Sequence, residues 1–363
     1  MTAEMKLLAA ALAGDRRALG ELAFREDLRG AVAGGRIAPA LALRAAEVGV
    51  GGPEVAVWHG ELMAATSHGL LLRHSLIGIA RVLGREGIAW APFKGLGLSP
   101  HVYPQWDERP TGDIDVLVAG GDYERARLAL AEAGWRDATD VDGADAFVED
   151  EGYNWQATND NGVPLELHFR LWGCAPEGLA AAVLERSQAD GEAEPTGRRL
   201  QLADAYVLAA VHWWTVPPPR LLIHLWDLHR IAAAAGAGMV ESVLAETRRW
   251  GLHLFVAPVA AAVADLWDDD ANRAIAAGAG AGVRLAERLA LRLIGRAGVD
   301  GAGLEIVSLA RLFARRESRM GWKAAWRRVW PHPAVLRMKT PATWGWARRR
   351  AWFAAKRLGL VKG

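Results

Sequence analysis

Two carboxylates spaced two residues apart, Asp113 and Asp115 in Gly112-Asp113-Ile114-Asp115-Val116, are the sharpest chemical feature of this sequence. In an extended strand residues i and i+2 point to one face, so the two acids share a side while Ile114 and Val116 face a core. Like charges held side by side repel and call for a cation. Hard divalent ions such as Mg²⁺ take oxygen ligands and keep positions open for phosphate. A D-x-D pair alone is common, and a third acid sharpens it. Glu166 lies in Pro164-Leu165-Glu166-Leu167-His168, where Glu166, His168 and Arg170 alternate with Leu165, Leu167, Phe169 and Leu171. That polar face is either simply solvated or supplies the third carboxylate of a metal site.

Upstream runs Phe93-Lys94-Gly95-Leu96-Gly97-Leu98-Ser99. A strand that ends in glycine at a helix start leaves backbone N–H groups able to hold phosphate. The two glycines match no standard P-loop spacing. Lys94 offers a point charge, and Arg109, four residues before Asp113, offers a planar fork for phosphate. Other polar residues read more plainly. His224 and His229 are five apart, poor spacing for one helical face, so no metal site is expected there. His59, His68, His74 and His253 read as surface or packing residues, Asp227 as a helix-packing residue, and Trp213-Trp214 as core. Cys174, with no adjacent histidine or basic pair, reads as a buried small residue.

The elements that must position these residues follow from pattern. Residues 1 to about 75 are Ala- and Leu-rich and helical, with breaks at Gly34-Gly35 and Gly51-Gly52-Pro53. A long helix is expected from Glu54 to Glu86, stopped by Gly87. Ile88 to Phe93 reads as a strand feeding a turn, and Ile114 to Val118 as a buried strand. Tyr123 to Ala133 reads as an amphipathic helix closed by Gly134. Two further strands, Tyr153 to Thr158 and Val163 to Trp172, flank the turn sequence Asn159-Asp160-Asn161-Gly162. Gly191 to Arg199 reads as a linker. Beyond it the chain is helical again, with Asp204 to His212 and Leu221 to Ala235 split by Pro217-Pro218-Pro219. The expected fold class is α+β: an α/β core with a mixed sheet and flanking helices, N-terminal helices and a helical C-terminal domain. The expected divisions are 1–75, 76–190, 200–310 and a basic tail at 311–363.

A chain of 363 residues, 52% hydrophobic and 23% charged, is long enough for a sizeable core and is not of disordered composition. One cysteine excludes an intrachain disulfide and a multi-cysteine zinc site, and suits a reduced compartment. No stretch approaches the ~20 apolar residues of a membrane span, and the start of the chain makes a poor signal peptide, so a cytoplasmic, soluble protein is expected. The 43 basic and 42 acidic residues conceal an asymmetry. Residues 311–363 hold 15 Lys plus Arg against Glu317 alone, a charge of +14, leaving the remainder 28 against 41, or −13. Six of the 17 tryptophans lie in the same tail, with Trp322, Trp326 and Trp330 on one helical face. Either this tail packs its tryptophans on the acidic body and turns its arginines to water, or it meets nucleic acid or an anionic membrane.

Taken together, Lys94-Gly95, Tyr103-Pro104, Arg109-Pro110-x-x-Asp113-x-Asp115 and Glu166-x-His168 resemble the uncharacterised nucleotidyltransferase family of the polymerase-β-type superfamily. Leu202-Ala203-Asp204 to His212, Trp226-Asp227-Leu228 and Arg249-Trp250-Gly251-Leu252 resemble its helical second half, so that the likeness covers roughly residues 60 to 340. The superfamily's usual Gly-Ser pair after the first strand is here Lys94-Gly95. The resemblance implies a Mg²⁺-dependent enzyme, two ions with Mn²⁺ as an alternative, moving a nucleotidyl group from an NTP such as ATP to a hydroxyl-bearing acceptor. Asp113, Asp115 and Glu166 would be the catalytic and metal-binding residues. Lys94, Gly95, Arg109 and His168 would serve the nucleotide. For His168 two other readings stand beside this one, a place near the acceptor or a half-exposed strand position with no role. Such genes commonly neighbour those of modified, lasso-type peptides, which makes peptide modification, with a peptide or protein acceptor, a further implication. A phosphotransferase on the same residues and a non-catalytic adaptor using the 311–363 tail are the competing readings.

Overall fold

The computed structural model describes residues 2–138, 154–171, 175–176, 178–189, 197–215, 222–236, 238–281 and 343–357. Four short helices open the chain: α1 (Ala3–Leu12), α2 (Arg16–Leu22), α3 (Arg29–Gly35) and α4 (Ala38–Val48). Asp15 caps α2 by accepting the Ala18 N–H at 2.8 Å. The long helix α5 (Pro53–Arg85) begins with proline in its first turn and is followed by Gly87 in the left-handed conformation, close to the expected stop.

Five strands form one mixed sheet: β1 (Trp90–Pro92), β2 (Ile114–Val118), β3 (Arg136–Asp137), β4 (Asn154–Thr158) and β5 (Pro164–His168), in the order β1-β2-β5-β4-β3. Only β2 and β5 run parallel, and their register sets Asp115 beside Glu166. Helix α6 (Lys94–Val102) follows β1, and α7 (Tyr123–Glu132) follows β2. The β4–β5 hairpin forms at the expected turn. The Asn159 side chain accepts the N–H groups of Asn161 and Val163, and Gly162 supplies the left-handed backbone. Alternation along the strands works as expected. Ile114, Val116, Leu165 and Leu167 pack with Leu72, Ile79 and Leu83 of α5 and Leu130 of α7. The opposite face carries Asp115 and turns Leu117 toward the helical half.

That helical half comprises α8 (Leu179–Arg186), α9 (Leu202–Thr215), α10 (Leu222–Ala235), α11 (Met239–Trp250), α12 (His253–Trp267) and α13 (Asp270–Ala281). Trp213 and Trp214 are buried in its core, as expected. The stretch read as a linker departs from expectation at its end. There β6 (Gln188–Ala189) pairs with β7 (Arg198–Arg199), and Gly197 bridges to Trp90. The reason is Arg198, whose guanidinium donates to the Ser187 hydroxyl at 2.7 Å and the Ser187 carbonyl at 2.6 Å. Helix α14 (Trp346–Arg357) lies within the basic tail. Cys174, Pro217-Pro218-Pro219, Trp322, Trp326 and Trp330 lie outside the described residues. Among the described residues no helix is long and apolar enough to cross a membrane.

Candidate active site

The acids meet where β2 and β5 run side by side. Asp115 is buried within β2, Asp113 stands partly buried just before it, and Glu166 sits across the parallel register. His168 is wholly buried, so the half-exposed position considered for it is not what the fold provides. Its Nε2 lies 3.0 Å from Asp115 Oδ1 and 3.1 Å from Glu166 Oε2, close enough for one N–H to be shared between both carboxylates. The Phe93 ring packs edge-on against the imidazole at 4.9 Å and fixes its plane. Asp115, Glu166 and His168 each offer a ligand atom, all within 4.8 Å of one another, a set that could hold a metal ion.

Lys94 supplies the resident cation. Its Nζ stands 2.6 Å from Asp115 Oδ1 and 3.9 Å from Glu166 Oε2. The side chain gets there because the backbone turns sharply from β1 into α6 with Lys94 at φ 54°, a left-handed conformation costing a non-glycine residue about 1 kcal/mol. The glycines around it are demanded by close approach. A Cβ on Gly95 would meet Thr111 Cγ2 at 2.4 Å, and one on Gly97 would meet the Pro92 carbonyl oxygen at 2.2 Å. The Gly95 amide belongs to the first turn of α6, where N–H groups have no partner within the helix.

Asp115 and Glu166 thus share one ammonium whose charge also acts on Asp113, and the three carboxylates titrate unequally. Burial raises the Asp113 carboxyl, the charges of Asp115 and Glu166 add to the effect, and Lys94 offsets only part, leaving it at about 6. For Asp115 burial also acts upward, but Lys94 and the His168 hydrogen bond outweigh it and hold the carboxyl below its ordinary range. Glu166 is held low in the same way, by His168 and Lys94 against burial. Lys94 in turn is held above its ordinary value, because Asp115 and Glu166 outweigh its burial. The excess of acid and the donor set fit a divalent cation: carboxylate oxygens suit Mg²⁺ or Mn²⁺, and the imidazole widens the choice.

Arg109 is placed differently from the phosphate fork read in the sequence. Its Nε and Nη2 each donate to Asp227 at 2.8 Å, and the Tyr103 hydroxyl donates to the same carboxylate at 2.5 Å. Asp227, read in the sequence as a helix-packing residue, is the buried anchor that ties α10 to the loop before β2. Nothing in the spacing signals a pair 118 residues apart. A pocket opens beside this anchor, lined by Phe93, Lys94, Arg109, Leu208, His212 and His224 among others. The two imidazoles meet edge to face at 5.1 Å. Burial pushes His224 down to about 4 and His212 well below its usual value, so both are neutral near pH 7.

Residues 31–268 match the model of the uncharacterised nucleotidyltransferase family, starting earlier and ending sooner than the 60 to 340 expected. The chain belongs to that family, and it is an enzyme of the nucleotidyltransferase class. Among solved structures, the antibiotic-resistance factor ANT(2'')-Ia is similar at 15% identity with a TM-score of 0.34, covering 51% of this chain and 95% of that one. A search of curated proteins gave no match.

Proposed function

We propose that this chain is a divalent-metal-dependent nucleotidyltransferase that moves a nucleotidyl group from an NTP to a hydroxyl of an acceptor, a peptide or protein being the acceptor class implied by the resemblance. The observation that carries the reading is the concentration of Asp113, Asp115 and Glu166 around one ammonium at the end of two parallel strands. Asp113, Asp115 and Glu166 would hold the ions, with Mg²⁺ first and Mn²⁺ second. When bound, such ions supply Lewis-acid stabilisation to the attacking and leaving oxygens of an in-line displacement.

The chain's own residues do the rest. His168 orients Asp115 and Glu166 through its shared N–H, and Phe93 orients His168. Lys94 neutralises Asp115 and brings positive charge to the edge where phosphate would lie, next to the Gly95 amide. Arg109, forked onto Asp227, holds in place the loop that leads into Asp113. Glu166 is the third ligand or takes the acceptor proton. At the end of the pocket lined by Leu208 and the two neutral imidazoles, His212 and His224, the uncharged organic portion of a substrate would sit.

The test is thermal unfolding with Mg²⁺ and each of four NTPs, for wild type and for Asp113→Asn/Asp115→Asn. A ligand at a hundred times its dissociation constant stabilises by about 2.7 kcal/mol, which a midpoint shift reads directly. A Mg²⁺-dependent shift in wild type alone is expected. No shift with any nucleotide would sink the proposal. Separate α- and γ-phosphate labels then distinguish nucleotidyl from phosphoryl transfer.

A further inference from the structure

Arg36 has no part in the site as described so far, yet it stands at its mouth. It caps the C-terminal end of α3, between Gly35, packed against Leu222 of α10, and the wholly buried Ile37. Its neighbours on either side are thus fixed while its own side chain is exposed. The guanidinium lies over Gly112, the residue before Asp113: a Cβ there would be 3.5 Å from Nη2 and 3.8 Å from Nη1. In that seat partial shelter from water and the nearby Arg109 pull the guanidinium below its ordinary pKa, while Asp113 and Asp227 act the other way.

Two observations set Arg36 apart from the other cations around the acids. First, Lys94 is 2.6 Å from Asp115 and Arg109 is forked onto Asp227, whereas no carboxylate among the described residues lies within 4.0 Å of the Arg36 guanidinium. Second, the described residues include three non-glycine positions with left-handed backbone: Arg36, Lys94 and Asp268. Two of these three are cations whose charges act on Asp113. Backbone strain of this kind persists where surrounding packing imposes it and gathers at ligand clamps. Helix ends usually place glycine at such a position, and here Gly34 and Gly35 stop just short of it.

We propose that Arg36, delivered by the N-terminal helices, grips the terminal phosphates of the triphosphate substrate. The proposal rests on the nucleotidyl-transfer reading above and assigns one residue to it. A planar guanidinium with no carboxylate partner matches phosphate oxygens two at a time. A triphosphate brought to a centre already in excess of acid needs a cation beyond those that carboxylates occupy. It also gives the N-terminal helices a share in the site: they present a charge to the leaving pyrophosphate in addition to that of Lys94.

The test uses Arg36→Gly and Arg36→Lys in the full chain. Glycine relieves the left-handed backbone, so Arg36→Gly is expected to unfold at a higher temperature than wild type without ligand. The same variant is expected to bind Mg²⁺ with NTPs or inorganic tripolyphosphate about tenfold more weakly or worse, while Mg²⁺ with the matching NMPs changes by less than about twofold. Arg36→Lys should recover part of the loss. A purely structural role cannot raise stability and lower triphosphate affinity together. Wild-type affinity of Arg36→Gly for tripolyphosphate and NTPs would overturn the proposal, and so would an equal loss for NMP. If wild type binds no nucleotide at all, the transferase reading fails and this inference with it. If wild type binds and Arg36→Gly binds equally, only this inference fails.

Discussion

Of the buried carboxylates that sit beside a basic side chain among the described residues, Asp227 and Asp115 are built to opposite ends. Asp227 receives a bidentate fork from Arg109 and a hydroxyl from Tyr103, so both oxygens are engaged and its charge is matched. Asp115 shares one ammonium with Glu166 and has Asp113 alongside, so the group keeps an excess of negative charge. The first arrangement is closed and joins the helical half to the sheet. The second is open and invites a cation. Burial of charge alone does not identify a site; the balance of charge around it does.

The largest effect is expected at the closed centre. Asp227→Ala strands the buried Arg109 guanidinium and should cost about 3–5 kcal/mol in chemical denaturation. Replacing the pair together with Arg109→Met/Asp227→Leu should recover most of it. If Asp227→Ala denatures like wild type while losing activity, the two centres are not different in kind. At the open centre Asp115→Asn should lower transfer by about a hundredfold or more at saturating nucleotide, read by release of labelled pyrophosphate. Retained turnover in the folded variant would remove Asp115 from the catalytic set.

His224 has its folded pKa depressed to about 4, so its contribution is present above the unfolded value and is lost as pH falls from 6.5 toward 4. This amounts to about 3 kcal/mol at most, and His224→Gln should flatten that part of a stability-against-pH curve. Asp113 behaves in the opposite sense. Its folded pKa is raised to about 6, so its contribution is present below the unfolded value near 3.8 and is lost as pH rises through 6. In metal-free protein at pH 7.5, Asp113→Asn should therefore stabilise by about 1–2 kcal/mol, allowing for partial exposure, and the gain should vanish near pH 4. A destabilised Asp113→Asn would mean that the open centre is charge-balanced after all.

Much of the sheet was legible because strand alternation and turn chemistry are local. Ile114 to Val118 forms the strand read from its apolar run, and Asn159 to Gly162 forms the hairpin turn. The gathering of Asp115, Glu166 and His168 was legible in part, since face-sharing within each strand follows from a period of two. What could not be read were partners distant in sequence. Arg109 pairs with Asp227 118 residues on, and nothing local marks either as the other's partner. The burial of His168 depends on Phe93 from another strand's end, and the position of Arg36 depends on how α3 packs against α10. Arg198-Arg199 looked like linker because its partner Ser187 lies across an intervening Gly- and Pro-bearing segment.

The parallel pairing of β2 with β5 also has a kinetic meaning. The β4–β5 hairpin closes through a four-residue turn and is of the kind that forms in about 1–10 μs. Joining β2 to β5 requires contact between Asp115 and His168, 53 residues apart, and long-range parallel pairing is intrinsically slow. A chain emerging from denaturant would thus hold Glu166 and His168 early and Asp115 late. Metal-binding capacity would return with the slowest phase of refolding, so incompletely folded molecules would lack the means to engage nucleotide.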